Sequence, residues 1–302
     1  MKQNFYLYVN HTQNFIFILF FIFTASQLIQ FYHVILKRIL QLFMDKFELL
    51  KSKIVSYGKL CVAYSGGVDS SFLLHIAHQL LGENAIAILI DSPVLARRDF
   101  DEALKLLKSI GVKYEIITDS PFTIPEFTAN GTMRCYFCKR NYFSQVIDIA
   151  KKNGIDIVAD GQNADDVLND YRPGIKASKE LGIVSPLAEC MFTKDEIRQF
   201  SKRFDIPTWN KPSNACLASR FPYGFEITPK RLATIELAEE VLRKRGIEGC
   251  RVRWHDNIAR IEAERKYFDI ILNNKSIIDE LKTFGFKYIT LDLEGFRSGS
   301  LN

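Results

Sequence analysis

Two stretches of this 302-residue chain carry residue types and spacings suited to chemistry. The first is Tyr64-Ser65-Gly66-Gly67-Val68-Asp69-Ser70-Ser71, fed by the apolar run Lys59–Tyr64 and followed by apolar residues at helical spacing. A strand that breaks at two glycines and turns at once into a helix aims backbone N–H groups and the positive helix end at one spot. That geometry cradles phosphate. Ser65, Gly66, Gly67 and Ser70 are the expected contacts, while Asp69, itself an anion, suits a cap or a magnesium ligand. The second stretch is Ser213-Asn214-Ala215-Cys216-Leu217-Ala218-Ser219-Arg220-Phe221-Pro222-Tyr223-Gly224. A lone cysteine among Ser, Asn, Arg, Gly and Pro is not a core position, and Arg220 and Lys211 would lower its pKa and supply thiolate. The competing reading is an inert loop cysteine.

Three further groups are weaker. Asp160-Gly161-Gln162-Asn163-Ala164-Asp165-Asp166 ends an apolar run, and its carboxylates, with Asp69, could hold Mg²⁺ through water. A solvated Asn/Asp loop would look the same. Cys135-Tyr136-Phe137-Cys138 is a single C-x-x-C between Arg134 and Lys139-Arg140. It suits half a zinc site, a redox pair or a helix start, and its cations suit a nucleotide neighbour. Arg251 and Arg253 lie two apart, so on a strand they share a face that could meet a phosphate or carboxylate. The alternative is the solvent face of a sheet.

The elements around these residues alternate. Helices are expected over 45–56, 69–81, 100–110 and 136–152, and strands over 59–64, 85–90, 113–118 and 155–159, with a loop over 119–133. This pattern predicts an α/β fold, a doubly wound parallel sheet with helices on both faces. Ligands then sit beyond the carboxyl ends of the strands. Thr193 to Phe204 reads as a capped helix and 207–212 as a linker. A smaller α+β module follows: a helix over 228–245, strands over 250–255 and 258–263, helices over 264–272 and 275–284, and a strand over 287–293. The expected domains are 44–206 and 207–302.

Composition is that of a folded chain, 47% hydrophobic and 25% charged. Net charge is +5, but residues 1–43 hold three basic and no acidic residues, so the remainder has 37 basic against 35 acidic. No basic run resembles a nucleic-acid-reading element, and no nucleic-acid partner is expected. Six scattered cysteines suit reduced thiols and a cytoplasmic protein. Residues 1–43 carry 11 of the 38 aromatics, and Phe15–Phe23 is continuously apolar. They read best as an extension upstream of a true start at Met44. A membrane tether over 15–36, interrupted by Gln27, Gln30 and His33, is the second reading, and a signal segment the third.

The string S-G-G-V-D-S resembles the PP-loop of ATP pyrophosphatases, and Gly161–Asp166 resembles their G-x-N-x-D-D element. From Met44 onward the chain resembles the LarE family of ATP-dependent sacrificial sulfur transferases. The matching pieces are Ser65–Ser70, Met133–Lys139, Gly161–Asp166 with Asp170–Gly174, Ala215–Arg220, Arg251–Arg253 and the ending Gly295–Asn302. Residues 1–43 have no counterpart.

The resemblance implies that ATP adenylates a carboxylate of pyridinium-3,5-biscarboxylic acid mononucleotide. Cys216 then attacks the acyl-adenylate, and elimination leaves dehydroalanine and a thiocarboxylate. It implies ATP and Mg²⁺ as cofactors, with Ser65, Gly66, Gly67, Asp69, Ser70, Arg134, Gly161 and Asp165 at the nucleotide. Asp69, Asp165 and Asp166 would lie beside the metal, and Arg220, Arg251 and Arg253 beside the substrate, the two strand arginines on its phosphate. Glu239 and Glu240 are weak candidates for the eliminating base. Family members form symmetric oligomers and serve the nickel-pincer cofactor of lactate racemase, so a homo-oligomer and a link to the carboxylase and nickel-insertion enzymes are expected. One cysteine in the motif favours the sacrificial route over an iron–sulfur cluster, while Cys135 and Cys138 keep cluster or persulfide chemistry open. The rivals are a tRNA-thiolating enzyme, which the near-neutral charge disfavours, and an ammonia-using synthetase, which leaves Cys216 idle.

Overall fold

The structure is a computed structural model and describes residues 45–167, 173–212 and 215–297. The chain divides into two compact units, 1–49 and 50–302. Of the first, the described residues belong to a helix over 45–57, which continues into the second. The candidate span 15–36 lies outside the described residues, among which no helix is long and apolar enough to cross a membrane.

Four parallel strands form the larger sheet: β1 (Leu60–Tyr64), β2 (Ala85–Asp91), β3 (Lys113–Thr118) and β4 (Val158–Ala159), in the order β3-β2-β1-β4. Helices α1 (Val68–Leu81), α2 (Arg97–Ile110) and α3 (Arg134–Lys152) make the crossovers. Strand alternation sorts the two faces. Cys61, Ala63, Ile86 and Ile88 join Phe143, Val146 and Ala150 of α3 in one core. On α1, Phe72 meets Phe192 (ring centroids 6.0 Å) and Phe200 (5.9 Å), the latter from α5 (Lys194–Arg203). The strand order reverses at β1, so the crevice beyond β1 and β4 is where such sheets take ligands.

The expected strand 155–159 shortens to β4 because only Val158 and Ala159 pair with β1, and Ala159 pairs onward with Val184. The expected loop 119–133 holds two turns of helix, Pro121–Thr123 and Pro125–Thr128, each with proline in its first turn. A helix not anticipated, α4 (Pro173–Glu180), packs its buried Ala177 and Ser178 inward. Asp170, Tyr171 and Arg172 lie outside the described residues, as do Ser213, Asn214 and 298–302.

Three strands form the smaller sheet: β5 (Arg251–His255), β6 (Ile258–Glu262) and β7 (Tyr288–Leu291). The β5–β6 pair is antiparallel and the β6–β7 pair parallel. Helices α6 (Pro229–Arg243) and α7 (Lys275–Thr283) cover it. Its core includes Ala96 and Phe127 from the first half of the chain together with Leu217, Ala218 and Phe221. The Cys216 turn is thus seated by apolar packing on both sides of its own position in sequence.

Candidate active site

The phosphate loop joins β1 to α1, and its hydroxyls fix its shape. Ser65 N donates to Ser70 Oγ (3.3 Å), the two hydroxyls lie 3.0 Å apart, and Gly67 N donates to Ser65 Oγ (3.4 Å). Gly66 has φ +70°, and a Cβ there would fall 2.4 Å from the Ala103 Cβ. Only glycine combines that left-handed backbone with that approach. A Cβ on Gly161, two residues past β4, would fall 2.8 Å from Ser70 N, so the chain leaving β4 lies against the backbone of the first turn of α1. Ser65, Gly66, Gly67, Ser70 and Gly161 are brought together as the sequence implied.

Asp69 forms an ion pair with Lys194 Nζ at the start of α5. Its Oδ1 is buried and makes no hydrogen bond. Burial raises the Asp69 carboxyl above its usual range and Asp166 adds to that, while Lys194 and Asn163 oppose it. Asp165 Oδ2 accepts from Lys194 N (2.7 Å). Asp166 and Asn163 exchange bonds between side chain and backbone (3.2 and 3.1 Å), capping a one-turn helix over Ala164–Val167. Asp165 and Asp166 each spend an oxygen on backbone, and the three carboxylates do not form the metal-binding group that the sequence suggested. Among the described residues no group of three His, Cys, Asp or Glu is arranged to hold a metal ion.

Lys194 is the residue beside the phosphate loop that sequence reasoning missed. Thr193 and Glu196 form a complete capping box around it, and that signal was legible, but a cap says nothing of where the lysine reaches. Beneath the same edge, Asp160 is buried and accepts from Ser185 Oγ (2.8 Å) and Gln162 N (3.1 Å). Burial raises its pKa, with Lys139 and these donors opposing.

The second group centres on Cys216, which is exposed. It precedes a 3-10 turn over Leu217–Arg220, and Leu217 N donates to Val94 O (2.8 Å). Arg134, expected at the nucleotide, is buried and bonds Asn130, with its guanidinium 5.2 Å from the Tyr223 ring. Asn130, buried at φ +53°, donates to the carbonyls of Pro222 (2.7 Å) and Phe225 (2.9 Å). The start of α3 is thereby tied to the chain just past the cysteine motif. Cys135 and Cys138 interact electrostatically with Cys216, and Cys138 packs on the core that holds Leu217. Burial first, then Cys216, pushes the Cys138 thiol up to about 12 and raises Cys135 as well.

The arginines divide in a way their spacing did not reveal. Arg220 donates twice to Glu239 (2.8 and 3.1 Å) and to the carbonyls of Ala215 (2.6 Å) and Cys216 (3.1 Å). Burial works against its charge, and Glu239 more than offsets that, so its pKa lies above the usual value. Arg253 pairs with Glu262 (2.8 Å), both nearly inaccessible, and donates to Ser219 O (2.8 Å). Both expected substrate contacts are therefore committed to internal ion pairs. Lys211, expected to activate Cys216, bonds Glu102 (3.1 Å) and Asp99 (3.8 Å) instead. Glu239 is unsuited to be a base, since it holds Arg220 and accepts from Val252 N (3.1 Å) at 1% exposure. Glu240 pairs with Arg243 (3.1 Å).

Arg251 is different. Among the described residues no carboxylate pairs with it, and its guanidinium lies 4.5 Å from the Phe296 ring. Burial, then the nearby charges of Arg220 and Arg253, lowers its pKa to about 10. Glu239 and Glu262 oppose that shift without outweighing it, so this buried cation is one that a further anion would stabilise.

A parallel sheet with S-G-G-V-D-S at its strand reversal and a lysine-paired aspartate at the helix start defines an ATP-using enzyme of the PP-loop class. Residues 43–130, which include this loop, match the NAD synthase family model. The chain is 37% identical over 246 residues to the pyridinium-3,5-bisthiocarboxylic acid mononucleotide synthase of Lactiplantibacillus plantarum, covering 81% of this chain and 89% of that one. It belongs to that family. It is also 42% identical to an uncharacterized protein of Synechocystis (85% and 97% covered) and 32% identical to one of Methanocaldococcus jannaschii (88% and 99% covered).

Proposed function

We propose that this chain uses ATP to adenylate a carboxylate of pyridinium-3,5-biscarboxylic acid mononucleotide and replaces that carboxylate oxygen with the sulfur of Cys216. The observation that carries the reading is an exposed cysteine whose backbone carbonyl is held by the buried Arg220, in the chain that holds the phosphate loop. Residues 44–206 would serve the nucleotide and 207–302 the sulfur transfer.

The substrate carboxylate attacks the α-phosphorus and pyrophosphate leaves. Loop N–H groups, the start of α1 and Lys194 are the donors available to the phosphates. Asp69 fits a magnesium ion that arrives with ATP, because one of its oxygens is buried without a hydrogen bond. Such a site uses one protein carboxylate and substrate phosphates, as Mg²⁺ commonly does. The ion would neutralise charge on the departing pyrophosphate. Arg251 would hold the substrate phosphate, with Arg220 and Arg253 fixing the backbone around Cys216. The thiolate attacks the acyl carbon and expels AMP; loss of the Cα proton then breaks the Cβ–S bond, leaving dehydroalanine and the thiocarboxylate.

The electrostatic coupling of Cys135 and Cys138 to Cys216 favours one alternative, in which one of these cysteines carries a transferable sulfur as a persulfide. Intact mass before and after turnover with ATP, Mg²⁺ and the dicarboxylate nucleotide separates the two. Loss of about 34 Da at Cys216 is expected for the sacrificial route. Unchanged mass with thiolated product would move the sulfur source to the three cysteines. ATP consumption without thiolated product would overturn both.

A further inference from the structure

We propose that Arg198 is a positioning residue that holds the chain leading into Cys216 in register with the phosphate loop. The proposal rests on the function above. Helix α5 begins at the nucleotide side, where Lys194 pairs with Asp69 and its backbone N–H bonds Asp165 Oδ2 (2.7 Å). Arg198 is four residues later, on the same helix face one turn on. Its Nη1 donates to Trp209 O and its Nη2 to Lys211 O, both at 2.7 Å. Two charge-assisted bonds from one planar fork fix both the position and the direction of the segment they hold.

The next turn repeats the contact, with Lys202 Nζ 4.8 Å from the Trp209 ring. Lys211 then carries the hold to α2 through Glu102 (3.1 Å) and Asp99 (3.8 Å). The next described anchors are the carbonyls of Ala215 (2.6 Å) and Cys216 (3.1 Å) on Arg220, then Leu217 N on Val94 O. Behind Arg198, the buried Phe200 stacks on Phe72 of α1, the helix that the phosphate loop opens. One ten-residue helix thus touches both the loop that would bind ATP and the segment that delivers the nucleophile.

The consequence lies in the second half-reaction. The acyl carbon is placed by the adenylate, and the sulfur must reach it, so a displacement of about 1 Å can cost on the order of 100-fold. Acyl-adenylate that waits is lost to water as AMP and unchanged substrate. Losing the Arg198 fork should therefore uncouple ATP use from sulfur transfer and leave adenylation in place.

The test compares the full chain with Arg198→Met and Arg198→Lys, measuring ATP–pyrophosphate exchange, AMP and thiocarboxylate in one sample. Exchange is expected within about two-fold of wild type, while AMP released per thiocarboxylate rises about ten-fold or more in Arg198→Met. Arg198→Lys, which keeps the charge but not the fork, should fall between. Wild type making thiocarboxylate, with the ratio unchanged in both variants, would overturn the role of Arg198 alone. Wild type consuming ATP without making thiocarboxylate would overturn the functional reading, and the role with it.

Discussion

Arg220 and Glu239 form a two-point ion pair at 2.8 and 3.1 Å in the interior, and the same guanidinium holds the carbonyl of Cys216 at 3.1 Å. Cys216 is exposed, but its backbone is fastened to a buried charge pair. A cysteine held this way can present sulfur in one direction without its own side chain being packed.

Removing the sulfur isolates the first half-reaction. Cys216→Ser should still exchange pyrophosphate with ATP when the dicarboxylate nucleotide is present, yet form no thiocarboxylate and show no mass loss on turnover. An ammonia-using synthetase would leave Cys216→Ser active in its overall reaction.

The arginines should separate into one ligand and two supports. Arg251→Met is expected to raise KM for the mononucleotide about ten-fold or more, the value of a charge-assisted hydrogen bond, with little loss of Tm. Arg220→Met and Arg253→Met each take one cation from a buried carboxylate, leaving Glu239 with Arg243 (3.6 Å) and Glu262 with Arg260 (3.0 Å), and should destabilise the fold by about 2 kcal/mol each in denaturant titration. Equal loss of Tm in all three variants would contradict the division.

Backbone approach at the loop should be intolerant of a methyl group. Gly66→Ala and Gly161→Ala meet atoms at 2.4 and 2.8 Å, and Gly66→Ala is also strained at φ +70°. Each should cost about 1–3 kcal/mol and weaken pyrophosphate exchange, Gly66→Ala the more. Gly82→Ala, with positive φ but open space, would separate backbone strain from crowding.

Thiol reactivity should follow burial. Iodoacetamide at pH 8 is expected to label exposed Cys216 first by peptide mapping, and Cys138 far more slowly, because a thiol held at about 12 is on the order of 10⁻⁴ ionised there. Cys61, Cys138 and Cys250 are all pushed up to about 12 from an ordinary 9.0 by burial. The native chain keeps those protons while the unfolded chain releases them. Their contribution is fully present below about pH 9 and is lost as pH rises toward 12. Stability by denaturant titration should therefore fall across that window, and less steeply in Cys250→Ala.

Substituting Lys194 tests the residue that only the fold exposes. Lys194→Met should raise KM for ATP and leave the Asp69 carboxylate buried without its cation, shifting its pKa further upward. Unchanged ATP dependence would remove Lys194 from the nucleotide site.

Local pattern determined a good deal by itself. The Ser65–Ser70 string between an apolar run and a helical period defined a phosphate loop, because strand, glycines and helix start are consecutive in the chain. The alternation of elements defined the parallel sheet, and Thr193 with Glu196 defined a helix start to within a residue. What sequence could not decide was partnership. Arg220, Arg251 and Arg253 look alike in a string, and only folding assigns Glu239 to the first, Glu262 to the last and no described carboxylate to the middle one. Lys194 and Asp69 lie 125 residues apart, and Asn130 bonds the chain past the cysteine motif from 92 residues away. The physical reason is common to all of them. Periodicity and capping act within a turn or two, whereas burial of charge and pairing of its partner depend on which surfaces the packed sheets bring together.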